Sequence, residues 1–178
     1  ILQALRWRFT RASNEKIRKS VLTSYIKSDV LGIADGDKKS AFERLLNLKF
    51  NNNESDSVVA LIPEYTARLI NSLCTLCAGR RYVTSNSGAV IKNLCEILVS
   101  CGETESVLRQ QVLGSLQKCS LRKQNQLLML QRDVLPWIAK VLRSHSNKNE
   151  ILVEYSLEYV TALLMNLCLR SYGRRLCE

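Results

Sequence analysis

The chain has 178 residues, 46% hydrophobic and 24% charged, with only two prolines and seven glycines. That balance supports one domain with a sizeable apolar core and favours long helices, since a proline inside a helix costs about 3 kcal/mol. The net charge is +10, with 11 basic against 7 acidic residues over 1–58 and 15 against 9 over 59–178. No basic tail carries it; a spread positive charge selects acidic partners such as nucleic acid, an acidic protein surface or an anionic membrane.

No apolar run reaches the roughly 20 residues that a membrane span needs, and no signal peptide is evident. Ile1 in place of a methionine reads as a piece of something longer. The seven cysteines are odd in number and sit mostly in apolar stretches, as in Leu73-Cys-Thr-Leu-Cys77. Reduced thiols packed as small hydrophobes fit this pattern, which points to a cytoplasmic or nuclear setting.

In chain order, Leu2, Leu5 and Phe9 trace a helical stripe. Arg6, Arg8 and Arg11 surround Trp7 and Phe9, a basic and aromatic pattern that suits nucleic acid. A solvated basic face over a packed stripe explains it more simply. Leu22-Thr-Ser-Tyr25-Ile is a faint copy of a motif that recurs later, and residues 33–57 read as a partly loop-like insertion. Asp56 or Ser57 starts a helix running through Val58 and Leu69, with Pro63 early in it.

The motif itself is clearest in three places: Leu73 to Arg80, Leu116 to Lys123, and Leu164 to Ser171. Segments after the first two copies match as well, Ala89–Leu98 with Asp133–Leu142. Asp133 reads as an N-cap there and Pro136 as a first-turn proline. Each unit is thus a long helix, a short helix, a medium helix and a polar loop, the loops being Asn51 to Ser57, Ser100 to Glu105 and Ser144 to Asn149. Helical sets recurring every 40–47 residues or so mark armadillo or HEAT arrays, because one unit cannot bury its apolar face alone. The expected fold is all-α: a single armadillo-type right-handed α-solenoid domain over 1–178, of about four repeats, incomplete at both ends.

Leu164-Met-Asn-Leu-Cys-Leu resembles the long-helix consensus of armadillo repeats. Asp133-Val-Leu-Pro-Trp-Ile resembles the Gly-x-hydrophobic-Pro-x-Leu helix that follows the long helix in that consensus, with Asp in place of Gly. Longer stretches, Leu5 to Arg11, Leu116 to Arg122 and Leu157 to Ser171, resemble the LisH-domain-containing armadillo repeat-containing protein 9 family across essentially the whole chain. That resemblance implies a non-catalytic scaffold at the ciliary basal body and axoneme, with microtubule-associated ciliary proteins as partners and a cytoskeletal location. It implies no cofactor. The LisH segment and coiled coil of the family are not in this sequence.

Basic residues recur at the ends of the repeated motif: Arg80 and Arg81, Arg122 and Lys123, Arg170, then Arg174 and Arg175. Stacked repeats would bring them side by side as a ladder for acidic peptides, with Lys118 and Asn166 on the same helices. They equally suit helix C-termini, where a cation gains about 0.3–1 kcal/mol. In peptide-binding armadillo proteins an asparagine on the long helix clamps an extended peptide. Here that position reads Ser24, Thr75, Lys118 and Asn166, with no tryptophan one turn earlier, which argues against capture of basic peptides. Tyr155, Tyr159 and Trp137 are hot-spot residue types. The alternative function is direct polyanion binding, to an acidic tubulin surface or nucleic acid, the latter disfavoured.

Catalytic chemistry has no carrier. His145 is the sole histidine and falls in a polar loop, and no phosphate-binding glycine loop or paired carboxylates occur. Cys74 and Cys77, with Cys95 and Cys101 downstream, lack the two close knuckles of a zinc ribbon, so the expectation is no metal site.

Overall fold

A computed structural model describes residues 1–33, 41–48, 57–85, 88–101, 105–146 and 154–176. It divides into two compact units, Ile1–Ser87 and Gly88–Glu178. Every regular element among the described residues is a helix.

The first unit holds α1 (Leu2–Thr10), α2 (Glu15–Lys27), α3 (Ala41–Leu46), α4 (Ser57–Leu73) and α5 (Cys77–Val83). Asn14 caps α2, its side chain accepting from the Ile17 N–H at 2.9 Å. α4 packs along α1 and against α3. Phe9, Leu22, Phe42, Leu69, Ile70 and Leu73 are buried in this core. Tyr82 ties α5 to the turn after α2: its hydroxyl donates to Asp29 Oδ1 at 2.7 Å and accepts from the Leu31 N–H at 2.9 Å. Burial and the Asp29 carboxylate together raise the Tyr82 pKa, so it stays a neutral donor. Asp29 holds this bond from a left-handed φ of 43°, a conformation that aspartate tolerates better than most residues.

The second unit holds α6 (Ala89–Ser100), α7 (Val107–Cys119), α8 (Lys123–Leu130), α9 (Val134–Ser146), α10 (Glu154–Cys168) and α11 (Ser171–Arg175). Ser106 caps α7 through the Arg109 N–H at 3.1 Å. α7 packs along α10 and against α6, while α6 also meets α8 and α9. Leu94, Leu98, Val112, Leu113, Leu116, Ile138, Leu163 and Leu167 fill the core.

The expected succession of long, short and medium helices is what α4–α5–α6 and α7–α8–α9 show. Asp133 stands directly before α9, at the expected N-cap position; its carbonyl accepts the Trp137 N–H at 3.1 Å, and its φ is a left-handed 56°. Two local expectations change. Pro63 lies inside α4, seventh in the helix and past the first turn. His145 belongs to the last turn of α9, not to the loop after it. Within 33–57, Ala41–Leu46 is helical; 34–40 and 49–56 lie outside the described residues, as do 102–104 and 147–149 of the expected loops.

Candidate partner-binding site

The basic residues sit at three joints where a long helix gives way to a short one: α4–α5, α7–α8 and α10–α11. An extended residue opens each short helix: Leu76 (ψ 145°), Arg122 (ψ 130°) and Arg170 (ψ 143°). The carbonyls at the end of the long helix then lack intrahelical donors. A side chain from the short helix supplies them. Arg80 Nη1 donates to the Cys74 and Thr75 carbonyls at 3.0 and 3.1 Å. Arg174 Nη1 does the same for Cys168 and Leu169 at 3.3 and 3.2 Å. Gln126 replaces arginine in the middle joint and donates to the Ser120 carbonyl at 2.8 Å.

The preceding residue is equally patterned. A Cβ on Gly79 would lie 1.9 Å from the Leu73 carbonyl oxygen, and one on Gly173 would lie 2.1 Å from that of Leu167. Asn125 stands at the middle joint, and its Nδ2 donates to the Cys119 carbonyl at 2.9 Å. Leu73, Cys119 and Leu167 are therefore equivalent. Leu116 and Leu164 then correspond, as expected, but Ile70 is their partner in α4, one turn before Leu73. The asparagine position reads Ser72, Lys118 and Asn166, so Thr75 drops out. The faint copy at Leu22 also loses its register, because α1 packs along α4 as α7 packs along α10.

Of the seven sequence-predicted residues, five lie in the second unit. Asn166 Nδ2 donates to Ser120 Oγ at 2.8 Å. Arg170 Nε donates to Gln126 Oε1 at 3.3 Å, so Gln126 serves two partners at once. Lys118 holds its ammonium 5.5 Å from the Tyr159 ring, which stacks on Tyr155 at 4.3 Å; both tyrosines are half-buried. Arg122 and Lys123 are exposed and stand at the N-cap and first position of α8. A cation there faces the positive end of the helix dipole, which is unfavourable rather than stabilising. Neither side chain has a hydrogen bond or ion pair among the described residues. Arg80 and Arg81 belong to α5 in the first unit; Arg80 is engaged by the joint and Arg81 is exposed.

Trp137 is 5% exposed and belongs to the core. Its ring lies 5.2 Å from the guanidinium of Arg109. Arg109 is fully buried and pairs with Glu105 at 3.4 Å, while Glu105 also accepts from the Ser156 hydroxyl. Sequence reasoning passed over this residue. Its signal was a cation inside the apolar stripe of Val107, Val112 and Leu116, four positions after an acidic one. At the start of the chain, Arg11 covers the Trp7 ring at 4.4 Å and Phe9 is buried, the arrangement of a packed stripe under a basic face.

The Cys74-x-x-Cys77 pair spans the α4–α5 joint, not one helical face, with Cys74 buried and Cys77 exposed. Burial pushes the Cys95 thiol up to about 12 and raises that of Cys101, so both are protonated at neutral pH. No cluster of three or more metal-ligating side chains occurs among the described residues. No helix among them is long and apolar enough to cross a membrane.

A family model described as "LisH domain-containing protein ARMC9, ARM repeats" matches residues 129–178. The chain is similar over 99% of its length to LisH domain-containing protein ARMC9 from Danio rerio and Bos taurus, at 39% identity over 180 and 177 residues, and from Homo sapiens, at 36% over 177. This chain is a relative of the ARMC9 armadillo repeats. Its all-α fold is of the armadillo type. The chain spans 20 to 24% of the length of these ARMC9 relatives.

Proposed function

We propose that residues 1–178 act as one armadillo-like repeat domain that binds other proteins and catalyses nothing, within a ciliary basal-body or axonemal assembly associated with microtubules. Kinship with ARMC9 along 99% of the chain carries this reading. Armadillo arrays present extended helical surfaces, on which affinity accumulates from many modest contacts. The ciliary setting and the cytoskeletal partners rest on that kinship alone. Proximity labelling with the full-length protein in ciliated cells tests them: enrichment of basal-body and axonemal proteins is expected, and labelling no richer in them than a cytosolic control refutes the assignment.

The surface we assign to partner contact is the end of the second unit carrying Lys118, Arg122, Lys123, Asn166 and Arg170; in the first unit the exposed Arg81 is kept, while Arg80 is committed to the α4–α5 joint. The support is energetic. Arg122 and Lys123 stand where the helix dipole opposes them and cap nothing, so local stability does not account for them. A second reading, direct binding of an acidic tubulin surface or nucleic acid, draws on the net charge of +10. Salt separates the two. Nucleic-acid binding falls log-linearly and steeply with salt concentration, in proportion to the number of phosphates contacted, whereas a protein interface that uses only these few cations weakens far less over the same range.

A further inference from the structure

Two of the three joints hold an apolar side chain in water directly before a cation. Counted from the equivalent residues Cys119 and Leu167, Leu121 matches Leu169 and Arg122 matches Arg170. Leu121 is 61% exposed and Leu169 is 68%, and Met165, one turn before Leu169, is 70%. Arg122 and Arg170 are exposed as well. The two joints touch: Asn166 donates to Ser120 Oγ at 2.8 Å and Arg170 to Gln126 Oε1 at 3.3 Å, one bond before the leucines in sequence and one after. The α4–α5 joint differs. Thr75 takes the place of the leucine, its hydroxyl donating to the Ser72 carbonyl at 2.7 Å, and Leu76 takes the place of the arginine. The joint therefore forms without a leucine–arginine pair. Charge is segregated around the pair too. No aspartate or glutamate occurs from Ser106 to Arg132 or from Tyr159 to Cys177. Of the described acids flanking those stretches, Glu105 pairs with Arg109, Asp133 lies past the far end of α8, and Glu158 lies in the first half of α10. One exposed leucine means little; the same one at two touching joints, each beside an exposed cation and away from any acid, is a patterned surface.

We propose that the α7–α8 and α10–α11 joints together bind an extended peptide segment in which acidic and large aliphatic residues recur in short register. Its carboxylates meet Arg122 and Arg170. Its aliphatic side chains cover Leu121 and Leu169, with Met165 widening the apolar strip. Packed helices stand about 8–10 Å apart, a distance that an extended chain spans in about three residues. One acidic and one aliphatic residue in every three thus match both joints. The positive, acid-free surroundings select acidic segments over basic ones. The exposed leucines select against an acidic run that has no apolar residues, which separates this chemistry from plain polyanion binding. The inference rests on the partner-binding reading above and names the chemistry of the partner.

The test titrates the full-length protein, by fluorescence anisotropy, into two synthetic peptides of equal length and charge. In one, aspartate and leucine recur every third residue; in the other, serine replaces each leucine. The leucine peptide should bind about tenfold more tightly, because apolar surface leaves water on both partners. Leu121→Ser with Leu169→Ser should abolish that preference at an unchanged melting temperature, since both side chains already stand in water. If the double variant melts early, Leu121→Gln alone should cut the preference to about threefold, half of the tenfold effect in free energy. Equal binding of the two peptides, no binding of either, or a preference that survives in the folded variants overturns the proposal. Affinity capture from ciliated cells keeps its failure apart from that of the partner-binding reading. Capture lost with Arg122→Glu, Lys123→Glu but intact with Leu121→Ser, Leu169→Ser leaves the cations as a binding site and overturns the apolar chemistry. Capture intact with both variants overturns both readings.

Discussion

The α4–α5 and α7–α8 joints solve one problem with different residues. At α4–α5 the short helix lies against the Leu73 carbonyl so closely that only glycine fits, and Arg80 reaches past it to cap two more carbonyls. At α7–α8 the approach admits a Cβ, and the neutral pair Asn125 and Gln126 does the capping. The α10–α11 joint returns to glycine and arginine. Where arginine caps, its charge is committed to backbone. Where amides cap, the nearby cations Arg122 and Lys123 are left to solvent. The same fold requirement therefore yields a structural arginine at one joint and available ones at the next.

The largest effect expected is at Gly79. Gly79→Ala forces a methyl against backbone that cannot rotate away, and overpacking of this kind costs about 3 kcal/mol. Urea denaturation of the full-length protein should show it, and an unchanged midpoint would mean that the close approach at α4–α5 is not needed. Next is Asn125→Ala, which strands the Cys119 carbonyl and should cost about 1–3 kcal/mol. Asn125→Gly should not rescue it, since the middle joint lacks a steric reason for glycine. Arg80→Ala should cost about 1 kcal/mol for a partly exposed cap, and Arg80→Gln should restore part of that, copying Gln126. Smallest is Arg122→Glu with Lys123→Glu, within about 0.5 kcal/mol of wild type because surface positions are tolerant; a gain is consistent with the helix dipole.

The order of helices was legible because apolar spacing and polar loops both survive in the residues from Leu116 to Leu167. The register was less so. Leu73-Cys-Thr-Leu-Cys77 keeps helical apolar spacing straight through a joint, so the motif slid by one turn and Thr75 took the place of Ser72. Leu22 and Tyr25 imitate the motif from within α2, although it is α1 that packs along α4 as α7 packs along α10. Caps formed across a joint, such as Arg80 and Gln126, leave no periodic trace. Neither does the burial of Arg109 over Trp137, which depends on a tertiary neighbour. Of the site, the cluster at Lys118, Asn166 and Arg170 was readable as a repeat position, but which cations were committed to backbone was not.

The most direct measurement compares full-length wild type with the Arg122→Glu, Lys123→Glu variant by quantitative affinity capture from ciliated cells, with melting temperature recorded in parallel. The account predicts an unchanged melting temperature, within about 2 °C, and recovery of a discrete set of proteins reduced about tenfold, equivalent to about 1.4 kcal/mol of binding. The same proteins recovered in the same amounts by a folded variant would contradict it.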